Sequence, residues 1–468
     1  MQIIKNYLYN ATYQIFILLV PLITTPYLAR ILGPTGVGIN AYTNSIIQYF
    51  ILFGSIGVNL YGNRQIAFVR DDKAKLTSTF YEIFLMRLMT ITIAYLIFFV
   101  FLVIIGKYQI FYLAQSVSII AAAFDISWFF MGIEKFSVTV IRNFIVKIVT
   151  LICIFLFVRT STDLATYILI LSLSLLIGNM TLFPNLKKRI GKIQLKDLHI
   201  WKHLKPSTAL FIPQIATQIY LVVNKTMLGS LTSVEAAGYF DQSDKIIKMV
   251  LAIVTATGTV MLPHVANAFM RGKIEKTKKY LYTSFRFVSI ISIPLMFGIM
   301  AVSSKFVPLF FTKQFMAVIP LMSVEAIAIL LIAWSNALGT QYLIPTNQTR
   351  SYTKSVILGA VVNIVVNVPL ILSLGALGAT VSTVLSEMIV TGYQMYSVRK
   401  QVNFRMLFKS VHKFLIAGIS MFLVVKIVDL NTRTSWTTLL IEVILGMLVY
   451  TISLLLMHVS FKTEIKNL

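Results

Sequence analysis

Among the ionisable side chains within long apolar runs of this sequence, thirteen are the most informative, and their types limit the chemistry that the chain can perform. They are Glu82, Arg87, Asp125, Lys147, Lys225, Asp241, Asp244, Lys245, Lys248, Arg286, Glu325, Glu387 and Glu442. A charge inside a bilayer is costly unless it pairs with another group or faces a water-filled path. These residues therefore predict ion pairs, proton-accepting acids or a site for a charged ligand between helices.

Several of these residues allow two interpretations. Arg87 lies near the start of its run, so it either snorkels to the interface or lines a cavity, and a matching Arg286 in a later run favours the cavity. Asp241 and Lys245 are four residues apart and form either a structural ion pair or part of a ligand site. Glu387 has no nearby cation on its own helix and is either a protonatable group on a pathway or a buried structural acid.

Patterns for catalysis, metals and cofactors are missing from the sequence. The glycine-rich segment 33–38 lacks the preceding strand and the Gly-Lys-Ser/Thr ending of a phosphate loop. The five histidines show no zinc-ligand spacing with Cys or carboxylates. The longest segment between apolar runs, 184–207, has only about 24 residues. The sequence predicts a protein that is not an enzyme and that has no cofactor or metal.

Composition places the helices that carry these charges in a membrane. The chain has 468 residues, of which 57% are hydrophobic and 12% charged, too apolar for a soluble globule. A span needs about 20 mostly apolar residues, and lipid requires backbone hydrogen bonds to close within each helix. Fourteen spans are predicted near 9–31, 38–60, 79–105, 110–131, 138–158, 164–183, 208–229, 236–262, 281–303, 316–338, 354–373, 376–396, 411–428 and 436–459.

A weakened internal repeat predicts two homologous lobes. The segment 26–38 has a weaker copy at 224–241, and each predicts a helix, a Leu-Gly turn and a second helix. Arg87 and Arg286 match at nearly the same offset, which supports a duplication. We expect an N-terminal lobe at 1–190, a basic linker at 191–207, a C-terminal lobe at 208–400 and two additional helices in 401–468.

Loop charges predict the orientation. Loops at 64–75, 187–205, 271–279 and 399–413 are rich in Lys and Arg, whereas the opposite loops hold few. The positive-inside rule makes the rich side cytoplasmic, and an even number of spans places both termini there. The same bias accounts for most of the net charge of +25. Attraction to anionic headgroups explains that charge, so no nucleic acid partner is expected.

Four motifs carry a family resemblance. They are the Pro-Tyr-Leu-Ala-Arg-Ile-Leu-Gly-Pro segment at 26–34 and the segments 61–67, 125–134 and 238–246. Together they resemble the polysaccharide transporter branch, the Wzx-type oligosaccharide flippases, of the MOP exporter superfamily. The likeness extends from the first run to about the twelfth and is strongest in the N-terminal half.

The resemblance implies an all-α integral membrane protein of MOP/MATE-like fold, with two six-helix lobes and two added C-terminal helices, that works by alternating access. Its cargo would be an undecaprenyl-diphosphate-linked oligosaccharide, moved from the cytoplasmic to the outer leaflet of the bacterial cell membrane. The products would be capsule, O-antigen or exopolysaccharide. A polysaccharide polymerase and glycosyltransferases are the partner proteins that this role implies.

A diphosphate that crosses hydrocarbon needs cations to offset its desolvation and to donate charge-assisted hydrogen bonds. The residues that we expect to form this cationic cavity are Arg30, Arg87, Lys225, Lys245 and Arg286. Asp125, Asp241 and Glu387 are expected to pair with these cations or to take up protons during gating.

Two other functions are considered. A multidrug extruder of the same superfamily would share the two-lobe repeat, but cationic drugs require an acidic cavity, and the charges here are mainly positive. A membrane glycosyltransferase or polymerase that uses the same lipid carrier would usually place catalytic residues in a long outer loop. The outer loops of this sequence are short and contain few acids.

Overall fold

The structure, a computed structural model, describes the backbone of residues 2–459 except 192, 194, 195 and 197. It describes the side chains of residues 19–459 except at those four positions and at 210, 212–214, 216, 217, 219–221, 257, 259 and 260. Throughout this part of the chain every regular element is a helix, which confirms the predicted all-α fold.

The described residues up to 231 include nine α-helices. Their bounds are α1 Gln2–Ser55, α2 Val58–Val69, α3 Lys73–Ile104, α4 Gln109–Ala123, α5 Ser127–Gly132, α6 Phe136–Phe157, α7 Leu164–Met180, α8 Phe183–Lys187 and α9 Leu204–Leu231. A short 3-10 helix, Ile200–His203, leads into α9.

Residues 232–459 contribute eight further α-helices. They are α10 Val234–Met270, α11 Ile274–Phe310, α12 Val318–Ser335, α13 Thr349–Leu374, α14 Ala376–Val398, α15 Phe404–Leu407, α16 Val411–Asn431 and α17 Trp436–Leu456. A π-helical segment, Asn336–Leu343, follows α12.

The chain is a multi-pass membrane protein. Among the described residues, ten helices are long and apolar enough to cross a bilayer, or eleven if the bent α10 is counted as one span. Every predicted run coincides with a helix, but the count of fourteen is not confirmed. The single stretch Leu19–Val69 includes residues 19–31 of the first predicted run and all of the second, and α9 and α14 are not among the ten.

Apolar side chains on the outside of these helices explain why they require lipid. In α3, Val103 and Ile104 are 72% and 78% exposed. In the most apolar 18-residue segment of α6, only 11% of the residues are buried within the protein. Such surfaces are far more apolar than a soluble monomer tolerates, so the hydrocarbon of a bilayer is their complement.

The Leu-Gly turn that the sequence predicts in the first copy of the repeat is a real break in α1. Gly33 has φ 62° and ψ −178°, a conformation essentially restricted to glycine, and Pro34 after it has no N–H for the helix. In the second copy the helix continues past Gly229 to Leu231. The next helix begins after Ser233, whose hydroxyl caps it by accepting from the Ala236 N–H at 3.1 Å.

The core of the first part depends on close packing around one indole. Trp128 of α5 is fully buried and stacks on Phe80 of α3, with ring centroids 5.6 Å apart. Gly62 of α2 lies against the same indole, where a Cβ would overlap the ring. A glycine at this position therefore allows α2 to approach α5 closely.

The chain divides into two compact units, Met1–Gly229 and Ser230–Leu468. The boundary falls near the end of α9 rather than before it. The repeat-based division at 190 and 208 and the assignment of 401–468 as added helices stay predictions. Four positions of the predicted linker, and residues 460–468 of the last segment, lie outside the described residues.

Candidate functional site

Arg87 is the centre of a buried polar cluster in the first unit. It lies on α3 and its side chain is 2% exposed. Its Nη1 donates to Asn59 Oδ1 at 2.7 Å and to the Asp125 carbonyl oxygen at 3.0 Å. Its Nη2 lies 3.7 Å from Asp125 Oδ2. The guanidinium is therefore held by α2 and by the turn after α4, rather than reaching to an exposed interface.

Asp125 has a second role in the same turn. Its Oδ1 accepts from the Ser127 N–H at 3.0 Å, so the carboxylate also orders the start of α5. Asn59 is exposed and lines a cavity of about 220 Å³ together with Gln48 and Gln218. Arg87 is thus hydrogen-bonded to a residue of the cavity wall, and Asn59 connects the buried guanidinium to the cavity.

The other two predicted cations of the first unit are more accessible. Arg30 is exposed near the end of the first half of α1, and its Nη1 donates to the Pro26 carbonyl at 2.9 Å. Lys225 of α9 is half-buried between the buried Asn224 and Thr226, whose hydroxyl lies 2.8 Å from Ser45 Oγ. Both cations also have further interactions within the protein.

In the second unit, α10 carries two ion pairs in successive turns. Lys245 Nζ lies 2.5 Å from Asp241 Oδ2, with the lysine side chain 40% exposed and the aspartate 7% exposed. Lys248 pairs with Asp244 at 2.7 Å. The predicted i, i+4 pair of Asp241 and Lys245 therefore exists.

The remaining predicted residues of the second unit lie on other helices. Arg286 is half-buried on α11, and Glu387 is 9% exposed on α14. Of the eight predicted site residues, the structure thus brings together Arg87 with Asp125 and Asp241 with Lys245. Arg30, Arg87 and Lys225 belong to the first unit, whereas Lys245 and Arg286 belong to the second.

A buried ion cluster in the second unit was missed by sequence reasoning. Lys305 of α11 contacts the Glu442 carboxylate of α17 and lies 3.5 Å from Asp429 Oδ1 of α16. All three side chains are at most 5% exposed. Lys426 also pairs with Asp429, at 2.6 Å. The sequence shows Glu442 as a charge within a run, but nothing in it indicates a partner 137 residues away.

A second missed network connects α3 to the segment before α9. Glu82 Oε1 accepts from the His199 N–H at 2.8 Å and from Lys202 Nζ at 2.9 Å, and Oε2 lies 2.9 Å from His203 Nε2. Because a carboxylate can only accept, Nε2 carries the proton. In the neutral ring, Nδ1 then accepts from the Tyr61 hydroxyl at 2.7 Å.

This network predicts an acid-sensitive contact. Burial lowers the pKa of His203 below its ordinary 6.5, although the Glu82 hydrogen bond opposes that shift. The unfolded chain therefore binds this proton more readily, and the stability contributed by neutral His203 is present above pH 6.5 and falls as the pH decreases. We expect the free energy of unfolding, measured by thermal unfolding, to decrease by at most about 1.4 kcal/mol per pH unit between pH 6.5 and 5 because of this group. His203→Gln should show a shallower slope in the same interval, and an unchanged slope would contradict the assignment.

Comparison with known proteins connects this arrangement to a family. The family model described as "Polysaccharide biosynthesis protein" matches residues 3–269, more than half of the chain. Over 405 residues the chain is 24% identical to a protein of Escherichia coli (strain K12) named as an O-antigen transporter. That alignment covers 84% of this chain and 96% of the relative.

Two solved structures share the fold. Lipid II flippase MurJ in an inward closed conformation superposes with a TM-score of 0.76 at 18% identity, covering 96% of this chain and 98% of that chain. An inward-facing multidrug resistance MATE family transporter of the MOP superfamily gives 0.64 at 14% identity, covering 86% and 99%. At these identities the likeness concerns the fold alone, and it confirms the predicted MOP/MATE-like architecture.

Proposed function

Since the chain belongs to the polysaccharide biosynthesis protein family, we propose that it is a flippase for undecaprenyl-diphosphate-linked oligosaccharide repeat units. It moves them from the cytoplasmic to the outer leaflet for capsule, O-antigen or exopolysaccharide assembly. The observation that carries this proposal is the relationship to the O-antigen transporter, which extends over most of both chains.

The cationic side chains on the apolar helices suit an anionic cargo. A diphosphate in a low-dielectric path requires positive charge and N–H donors. Arg30, Lys225, Lys245 and Arg286 are exposed or half-buried, so they supply both. Arg87 is buried, and in this conformation it acts on the path through Asn59, whose amide it orients.

We propose that transport follows alternating access between the two predicted lobes. Asp125 and Asp241 are already paired with Arg87 and Lys245, so arrival of an anionic headgroup would compete for those cations. Glu387 is the acid that takes up a proton during gating. Release of the carboxylates from their partners is the step that couples cargo binding to the change of state.

The two rival functions fit less well. The fold is shared with multidrug transporters, so it does not discriminate by itself, but the cations that we propose for the path disfavour cationic drugs. A glycosyltransferase or polymerase is disfavoured because the relatives are named as transporters and flippases. We place the protein in the cytoplasmic membrane of a bacterium with both termini in the cytoplasm, based on the distribution of Lys and Arg between loops.

Accumulation of the cargo tests the proposal directly. In a strain that lacks the gene, radiolabelled lipid-linked glycan should accumulate in the inner leaflet while its synthesis continues, and the wild-type chain should restore export. The double variant Lys225→Ala/Arg286→Ala should lower export by about tenfold or more, because each change removes a charged donor to the diphosphate.

A matched control removes the same charge elsewhere. Lys276 and Lys279 are exposed on α11 near its start, and their double alanine variant should export normally. Loss of glycan synthesis in the deletion strain would point to an enzyme instead. Equal export by the two double variants would refute the role of the cations.

A further inference from the structure

A polar pocket lies inside the first unit, between membrane-spanning helices α1, α4, α6 and α7. Its volume is about 340 Å³, at the lower end of the range of about 300–1,000 Å³ typical of small-molecule sites. The functional assignment above does not use this pocket, and only Gln48 also lines the cavity beside Asn59. Its chemistry therefore requires its own explanation.

The lining is rich in groups that recognise hydroxyls. Of its fifteen described residues, nine are uncharged and polar, four are aliphatic, two are cations and none is an acid. The five carboxamides are Asn40, Asn44, Gln48, Gln115 and Asn143. A carboxamide both donates and accepts hydrogen bonds, as each hydroxyl of a sugar ring requires. Gln115 is held in place by donating to Asn40 Oδ1 at 3.1 Å, so part of this lining is preorganised.

Lys147 supplies a charge that the described lining does not neutralise. It is the twelfth residue of the 22-residue α6, about 16 Å from either end at 1.5 Å per residue, too far for its side chain to reach an interface. Among the described side chains, none forms an ion pair or hydrogen bond with Lys147. A lone ammonium group in the middle of a span calls for a counter-charge from a ligand.

A second cation, Arg142, lies five residues before Lys147 on the same helix. Arg142 is positioned by donating through Nη1 to Asn179 Oδ1 at 2.6 Å, and the Asn179 amide donates to the Ala121 carbonyl at 2.7 Å. Both Arg142 and Lys147 line the pocket. Positive charge therefore lies on the α6 side, while carboxamides of α1 and α4 face it from other helices.

We propose that this pocket binds an acidic sugar residue of the lipid-linked glycan, with its carboxylate or phosphate on Lys147 and its ring hydroxyls on the carboxamides. This inference rests on the proposed function, and it adds a substrate class. The chain would prefer glycans that contain an acidic sugar over neutral ones.

Binding of single sugars tests the subsite without transport. The full-length protein is placed in phosphatidylcholine nanodiscs, and binding of glucuronic acid and of glucose is measured by saturation-transfer NMR. Wild type should bind glucuronic acid about tenfold more tightly than glucose, the difference expected from one charge-assisted hydrogen bond. Lys147→Gln should abolish most of that preference, whereas Lys147→Arg should keep it.

The controls distinguish the effect of the Lys147 charge from the effect of removing another positive charge and from loss of the folded structure. Lys135, just before α6, does not line this pocket, so Lys135→Gln should keep the full preference. Asn143→Leu should weaken the binding of both sugars equally, because it removes contacts to the sugar hydroxyls and leaves the charge in place. Equal binding of the two sugars to folded wild type would overturn the proposal.

The anion could also come from a lipid headgroup, and a further arm distinguishes this source. If replacing phosphatidylcholine by phosphatidylglycerol abolishes glucuronic acid binding, the pocket holds a phospholipid and the sugar assignment is wrong. Failure of the sugar site and failure of the proposed function give different results. A chain that binds glucuronic acid through Lys147 but exports no glycan would refute the flippase role alone.

Discussion

Replacement of Arg87 by alanine is expected to lower the free energy of unfolding by about 3–5 kcal/mol and to stop glycan export. That range is typical when one partner of a buried ion pair is removed. The variant would leave Asp125 without its cation and Asn59 without its donor, in a site where the arginine is 2% exposed. Thermal unfolding of purified protein, together with the export assay, measures both effects.

Two companion variants interpret this result. Asp125→Asn should cost less than Arg87→Ala, because Arg87 keeps its bonds to Asn59 and to the backbone carbonyl of residue 125. Arg64→Ala removes an arginine that is exposed on α2 and should leave stability nearly unchanged. If Arg87→Ala is as stable as Arg64→Ala, the buried cluster does not have the structural role assigned to it.

Replacement of Lys305 by methionine should have a similarly large effect in the second unit, again about 3–5 kcal/mol. Lys305 is the cation between two acids that come from different helices, Glu442 and Asp429. Without it, the fully buried Glu442 would be an uncompensated charge among α11, α16 and α17. We expect the two last helices to loosen first, which hydrogen exchange of α16 and α17 at neutral pH would detect.

The matched control is the second lysine of the cluster. Lys426 is 34% exposed, and Asp429 would keep its ion pair with Lys305 after Lys426→Met. This change should therefore lower the free energy of unfolding much less. The double variant Lys305→Met/Glu442→Gln should recover part of the loss, because the orphaned charge is removed with its partner. Equal costs of the two lysine variants would show that burial does not govern this cluster.

Membrane insertion and helicity were readable from the sequence because both are local properties. Lipid offers no hydrogen bonds to the backbone, so an apolar run of about 20 residues has the helix as its stable form. The turn at Gly33 was also readable, since glycine followed by proline disfavours a continuing helix. The number of spans was not, because hydropathy does not decide how often a long helical stretch with an internal break, such as Leu19–Val69 with its break at Gly33, crosses the bilayer.

The charged pairs also fall into two groups, those that the sequence predicts and those that only the structure shows. The contact between Asp241 and Lys245 follows from helix geometry alone, since residues four apart share a face. Arg87 and Asp125 are 38 residues apart, and Lys305 and Glu442 are 137 apart. Sequence shows that each of these groups needs a partner, because burying a charge is costly. Which partner it receives depends on how the helices pack, and only the tertiary structure decides that, since hydropathy and periodicity contain no information about distances between helices.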